Sequence, residues 1–371
     1  MKVGIIGLPN VGKSTLFNAL TKMQVLEANY PFATIEPNVG IVEVSDSRLQ
    51  TLSQIFQSQK TISALIEFKD IAGLVAGASK GEGLGNQFLS HIRNVDAICH
   101  VVKCFEDPNI AHVTETNNPV EEIDIIQTEL ALADLEQIEK RLLKLGKQKN
   151  KLDKELLQEK ALLTKIKTHL TTQDLKNLVF SDEELKLVKT FNLLFLKPSL
   201  YLANIKEHDL LSLDSNVFYQ QVLAYATKES KKLIPLCVQL EKEISSLDFA
   251  EKQLFLKDYG LVESGLTKLI QESYALLGLQ TYFTAGPKEV RAWSFKKGLK
   301  APECARIIHT DLQKGFIKAE VVSYLDLLEA QTFQKSKEKG KVRIEGKEYI
   351  VKDGDIITFR FNVYSFSFFF I

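Results

Sequence analysis

Gly7-Leu8-Pro9-Asn10-Val11-Gly12-Lys13-Ser14 decides the first reading of this chain. Its spacing fits G-x-x-x-x-G-K-[ST]. The apolar run Lys2–Ile6 precedes it and a helix-forming pattern, Lys13–Leu20, follows, which is the strand–loop–helix setting this motif requires. Glycines at 7 and 12 let the backbone come close to a ligand. Successive backbone N–H groups, reinforced by the helix N-terminus, then surround phosphate oxygens. Lys13 is placed to reach the β- and γ-phosphates and the Ser14 hydroxyl to ligate Mg²⁺. A glycine turn with a chance lysine is the competing reading, and the flanking strand and helix speak against it.

Two further features narrow the class. Asp70-Ile71-Ala72-Gly73 follows the strand-like Ser63–Lys69; an aspartate there can hold Mg²⁺ through water while the Gly73 N–H meets the γ-phosphate. Thr34, within Pro31-Phe32-Ala33-Thr34-Ile35, can supply another Mg²⁺ ligand, although by itself it reads more readily as a solvated loop residue. Together they describe a γ-phosphate sensor with two ordering segments, and the glycine-rich stretch after Gly73 suits a switch. Leu74 stands where many switch GTPases carry a water-orienting glutamine, so another group must align the water or hydrolysis is slow. A P-loop small-molecule kinase is disfavoured by the same segments.

Other strand-like runs are Gly40–Val44, Ala97–Val102 and Ser199–Ile205, and strands alternating with helices predict a parallel sheet with crossover helices. After the last of them stands Asn204-Ile205-Lys206-Glu207, in place of the guanine-reading N-K-x-D. An asparagine can bond both N6 and N7 of adenine, and a glutamate need not copy the aspartate that meets guanine; the Ile205 backbone can also touch the base edge. Adenine is therefore favoured over guanine. His100 sits inside an apolar strand and reads as packed. His112 lies in the loop Phe105–Val113.

The chain has 371 residues, more than one core ordinarily holds. Hydrophobic residues at 45% and charged residues at 25% exclude a disordered or fibrous chain. Lys plus Arg (47) balances Asp plus Glu (47), so overall charge does not argue for nucleic acid. Cys99, Cys104, Cys237 and Cys304 form no C-x-x-C pair and read as reduced thiols of a cytosolic protein. No apolar stretch approaches a membrane span, and the N-terminus enters a strand with no signal-peptide pattern. Leucine and isoleucine recur at steps of three and four from Leu135 to Leu170, predicting a helical hairpin turning at Gly146–Asn150. Residues 135–170 carry ten Lys or Arg against five Asp or Glu, a local charge of +5; this is either a solvated face or an arm for RNA phosphates. From Leu279, strands Gln280–Ala285 and Glu289–Phe295, a helix Pro302–Lys314 and a hairpin Tyr349–Phe361 turning at Asp353-Gly354 predict a small α+β module.

GLPNVGKST, PFATIEPN, DIAGLV and GEGLGNQFLSHIR, followed by NIKE, LQTYFTAG, EVRAW, HTDLQKGFI and YIVKDGD, closely resemble the YchF or Obg-like ATPase family of translation-factor-related P-loop proteins. The resemblance spans residues 1 to about 363. It implies an α/β P-loop NTPase domain (1–123 and 197–278), an inserted α-helical coiled-coil hairpin (124–196) and a C-terminal ubiquitin-like β-grasp TGS domain (279–363), leaving 364–371 unassigned. It also implies a cytoplasmic, monomeric ATPase that binds ATP/ADP and the ribosomal large subunit with its RNA, linked to translation or stress regulation. Residues expected at the nucleotide are Asn10, Val11, Gly12, Lys13, Ser14, Thr15, Gly73, Asn204, Ile205 and Glu207. Ser14, Thr34 and Asp70 are expected at Mg²⁺. The resemblance puts the water-positioning histidine at His112; an ordinary loop histidine stays open. Asn10 has two roles open to it: holding K⁺ beside the nucleotide, or stabilising the loop through its own backbone. An adaptor that carries ATP as a structural ligand is the alternative function.

Overall fold

The computed structural model describes residues 1–23, 38–71, 84–107, 117–147, 154–172 and 178–362. Thr34, Gly73, Leu74, His112 and the tail 364–371 lie outside the described residues. The strands are β1 Lys2–Ile6, β2 Val39–Val44, β3 Lys60–Ile62, β4 Ala64–Asp70, β5 Ala97–Lys103, β6 Ser199–Asn204, β7 Leu233–Leu236, β8 Leu279–Ala285, β9 Glu289–Lys296, β10 Phe316–Ser323, β11 Arg343–Glu345 and β12 Asp355–Phe361. They form two six-stranded sheets, ordered β2-β4-β1-β5-β6-β7 and β11-β10-β12-β8-β9-β3. The helices that matter below are α1 Lys13–Lys22, α2 Ser47–Phe56, α3 Leu84–Arg93, α4 Pro119–Lys147, α5 Lys154–Thr172, α6 Asp182–Phe191, α7 Val217–Lys228 and α8 Val238–Ile244. The chain divides into two compact units, one of Met1–Ala19, Pro37–Val39 and Phe68–Gly265, the other of Leu20–Glu36, Gly40–Glu67 and Leu266–Ile371.

In the first unit β1 pairs with β5, β5 with β6 and β6 with β7, all parallel. Every residue of β5, AICHVVK, is buried, as expected of a central parallel strand covered on both faces. From β1 the chain first builds β2 and β4 on one side and only then β5 on the other. The strand order thus reverses beside β1, and ligands bind such sheets at the carboxyl ends next to that reversal. Helices α4 and α5 run antiparallel, with Arg141 bound to Glu159 and Lys167 to Glu139. Leu145, Leu163 and Ile166 lie in their shared core, to which Val188 of α6 adds. These surface ion pairs contribute little stability; the buried apolar stripe holds the helices together. Asp134 of α4 is fully buried and accepts from the Phe195 N–H at 3.0 Å. Burial raises its pKa to about 6.

In the second unit β8 and β9 are antiparallel, β12 lies parallel to β8, and β10 pairs antiparallel with β12 and β11. Helix Ala301–Ile308 lays Cys304 and Ala305 on a core of Tyr282, Phe295, Val321 and Ile357. A residue run far from these in sequence, β3, adds parallel to β9, with Lys60 opposite Glu289. Arg48 of α2 binds Asp46 and Asp353, each at 2.7 Å, and its guanidinium lies 5.1 Å from the Phe283 ring centroid.

Three expectations are corrected here. Asp353-Gly354 does not close a hairpin within 349–361: Asp353 instead accepts from the Thr281 N–H at 2.8 Å, Gly354 (φ +83°) donates to the Thr281 carbonyl at 2.8 Å, and β12 takes β10 and β8 as neighbours. The helix expected over Pro302–Lys314 is broken at His309, whose extended backbone (φ −162°) ends one helix and caps the next. Strand β10, which the sequence reading passed over, is the antiparallel neighbour of both β11 and β12.

Candidate nucleotide site

The loop between β1 and α1 holds a shape that few sequences tolerate. Gly7 has φ +154° and Gly12 φ +102°. A Cβ at Gly7 would lie 2.5 Å from the Val101 carbonyl oxygen, and one at Gly12 would lie 2.6 Å from Asn204 Nδ2. Asn10 sits between them at φ +66°, a left-handed conformation that asparagine accepts more readily than most residues. Leu8 and Val11 are buried and pin the loop to the sheet. Its first helical carbonyl, Gly12, accepts from the Leu16 N–H at 2.9 Å.

Lys13 is 7% exposed, and its ammonium donates to the Leu8 carbonyl at 2.6 Å, back across the loop. Burial lowers its pKa and the Asp70 carboxylate works against that shift. Asp70 ends β4. Its Oδ2 accepts from Ser14 Oγ at 3.4 Å, while its buried Oδ1 has no hydrogen-bond partner among the described residues. Burial raises its pKa, opposed by Lys13 and Ser14. A buried carboxylate oxygen left without a donor is costly, whereas a hard cation takes carboxylate and hydroxyl oxygens. Ser14 and Asp70 therefore fit Mg²⁺. Among the described residues no group of three His, Cys, Asp or Glu gathers as a metal cluster, and Mg²⁺ beside phosphates needs none. Thr15 follows Ser14 in the first turn of α1.

At the end of β6, Asn204 is nearly buried and has a task that sequence reading missed. Its Nδ2 donates to the Val11 carbonyl at 2.9 Å and its Oδ1 accepts from the Val238 N–H at 3.2 Å. The side chain thus clamps the phosphate loop to the start of α8, and it fills the space that a Cβ on residue 12 would need. The adenine pairing read from the sequence must use the one N–H and one lone pair that remain. Ile205 is similarly committed: its N–H donates to the Leu236 carbonyl at 3.1 Å, which leaves its carbonyl for a base edge. The exposed Glu207 accepts a short hydrogen bond from the Tyr259 hydroxyl, and that bond raises the tyrosine pKa. Tyr259 stacks on Phe255 at 4.7 Å. The ammonium groups of Lys103 and Lys206 each lie 5.8 Å from the Phe105 ring centroid. Tyr259 carries no motif; only its place 52 residues from Glu207 in sequence and beside it in space identifies it.

Phosphate loop, Asp70, Lys103 and Asn204 thus meet at one edge, the ends of β1, β4, β5 and β6. The fold and this edge define a P-loop NTPase. Residues 2–151 match a family described as "50S ribosome-binding GTPase" and residues 279–362 match the YchF GTPase C-terminal family, described as a protein of unknown function. Ribosome-binding ATPase YchF of Bacillus subtilis is 53% identical over 98% of this chain and 100% of its own length. The Haemophilus influenzae protein of the same name is 51% identical over 98% and 99%. The solved YchF GTPase of Schizosaccharomyces pombe superposes with a TM-score of 0.87 at 37% identity, covering 97% of each chain. The chain belongs to the YchF family. Among the described residues no helix is long and apolar enough to cross a membrane.

Proposed function

We propose that this protein is an ATP-hydrolysing switch that associates with the ribosome, its bound nucleotide setting its affinity for the large subunit. The observation that carries the nucleotide reading is the buried Asp70 Oδ1, without a hydrogen-bond partner among the described residues, beside Ser14 on the phosphate loop. Ser14, Asp70 and Thr34 would hold Mg²⁺, which neutralises phosphate charge when bound. Asn10, Val11, Gly12, Lys13, Ser14, Thr15 and Gly73 would surround the phosphates. Asn204, Ile205 and Glu207 would read the base as adenine; support for ATP is N-x-x-E in place of N-K-x-D and the ATPase names of the relatives, while the solved homologue is named a GTPase. His112 would position the water that Leu74 cannot. The relatives' names support the ribosome. The +5 hairpin, as an inserted helical domain over 124–196, and a TGS domain over 279–363 would contact ribosomal RNA, with 1–123 and 197–278 as the NTPase domain of a cytoplasmic monomer.

The test is the hydrolysis rate of ATP and of GTP, measured alone and with added large subunits. Stimulated ATP turnover is expected. Negligible turnover under all conditions, together with nucleotide-independent ribosome binding, would favour the adaptor reading that Leu74 suggests.

A further inference from the structure

Between the first sheet and α4 lies a cavity of about 240 Å³, room for about eight water molecules at ~30 Å³ each. Neither Lys13, Ser14, Asp70 nor Asn204 lines it. Ile98, Ile126, Leu130 and Leu194 make an apolar wall. His100, Tyr201 and Lys231 add polar groups to the lining. His100 is 4% exposed, lies 5.6 Å from the Tyr201 ring, and makes no hydrogen bond among the described residues. Burial, then the charges of Lys231 and Lys13, lower its pKa to about 3, so its ring is neutral and offers one N–H and one acceptor nitrogen. Buried polar groups are ordinarily satisfied, and this imidazole faces a cavity.

Two more groups converge there. The Tyr201 oxygen accepts from Gln127 at 2.6 Å and from Lys231 at 3.3 Å, so its own hydrogen remains to be given. The Lys231 ammonium lies 5.3 Å from the Tyr201 ring centroid. Lys197 also lines the cavity, but its three donors are spent on the Arg93 and Val95 carbonyls and on Asn192 Oδ1; it contributes charge and no bond. Against these two cations stands one acidic lining group, Glu229. The lining therefore carries a net charge of +1, which suits one negative charge and disfavours two.

We propose that this cavity is a second ligand site, for a small amphipathic monocarboxylate. Its carboxylate would lie between His100, the Tyr201 hydroxyl and Lys231, and its apolar body against Ile98, Ile126, Leu130 and Leu194. A bound ligand would tie α4 to the sheet, because Gln127 and Leu130 belong to that helix.

The experiment uses the full chain with ATP and Mg²⁺ saturating, so that the phosphate loop is occupied. Benzoate is the probe, benzyl alcohol its neutral analogue and inorganic phosphate the control anion; calorimetry and ligand-observed NMR read binding. Benzoate is expected to bind, with benzyl alcohol about ten-fold weaker or more, since a charged hydrogen-bond partner is worth roughly that. Lys231→Met should weaken benzoate by a similar factor, and Ala131→Leu, which fills the cavity from α4, should abolish binding. Thermal melts establish that each variant is folded, and either one suffices for the test. No binding of benzoate at ~10 mM, equal affinity for phosphate, or benzoate affinity unchanged in a folded variant would overturn the proposal.

Discussion

The two ends of the nucleotide edge are built in different ways. The phosphate end is local: Gly7, Asn10, Gly12, Lys13 and Ser14 lie within eight consecutive residues, and their conformation follows from backbone geometry. The base end is assembled from distant parts. Asn204 reaches Val11 across 193 residues and Val238 across 34, and Glu207 is held by Tyr259 across 52. Under the proposed function the phosphate end would supply affinity for any nucleoside triphosphate, and the base end would supply choice. Asn204 joins the two, because the amide proposed to meet the base also buttresses the loop.

The largest effect expected is from Gly12→Ala. The new methyl would meet Asn204 Nδ2 and the backbone would have to keep φ +102°, a strain of about 1–3 kcal/mol. Chemical denaturation should show that loss without nucleotide, and calorimetry should show ATP affinity reduced more than a hundred-fold. Because Asn204→Ala also removes the loop clamp, its cost is compared in both backgrounds: a smaller cost in Gly12→Ala than in the parent would make steric conflict with the amide the cause, and equal costs would make backbone strain the cause. Next comes Lys13→Ala. Removing a charged hydrogen-bond partner costs roughly 1.5–3 kcal/mol, about ten- to a hundred-fold in affinity. An unchanged affinity by calorimetry would remove this lysine from the site. Tyr259→Phe is milder: losing one exposed hydrogen bond to Glu207 is expected to alter the ATP-to-GTP preference several-fold with total stability unchanged. A preference that stays fixed would mean that Glu207 does not read the base.

A smaller effect separates this edge from the helices behind it. Asp134 has its pKa raised to about 6 by burial, above the ordinary carboxylate value. The folded protein therefore holds a proton that the unfolded chain releases, and stability from this group is present below the unfolded pKa and lost as pH rises through about 6. Asp134→Asn should flatten the stability profile between pH 4 and 7 in denaturant titrations while leaving ATP affinity unchanged. An unaltered profile would contradict the assignment.

What could be read in the sequence follows the same divide. Strand β1, its loop and the start of α1 were legible because motif, hydrophobic run and helix pattern are adjacent. So was the burial of His100, whose neighbours are all apolar. The two hydrogen bonds of the Asn204 side chain and the Tyr259–Glu207 contact were not, because nothing local to either residue marks its partner. The same reason hid β3, a three-residue strand whose place depends on β9 more than 200 residues away, and misplaced the turn at Asp353-Gly354, whose partners are Thr281 and Arg48. Local chemistry is legible one residue at a time; pairings across the chain require the fold.

The division of labour is tested most directly by measuring ATP and GTP affinities side by side for the parent, Lys13→Ala and the double variant Ile205→Lys with Glu207→Asp. Lys13→Ala is expected to weaken both nucleotides alike, leaving their ratio where it was. The double variant, which rebuilds N-K-x-D, is expected to move the ratio toward GTP with much less change in ATP affinity than Lys13→Ala causes. A ratio that shifts with Lys13→Ala, or stays fixed in the double variant, would contradict it.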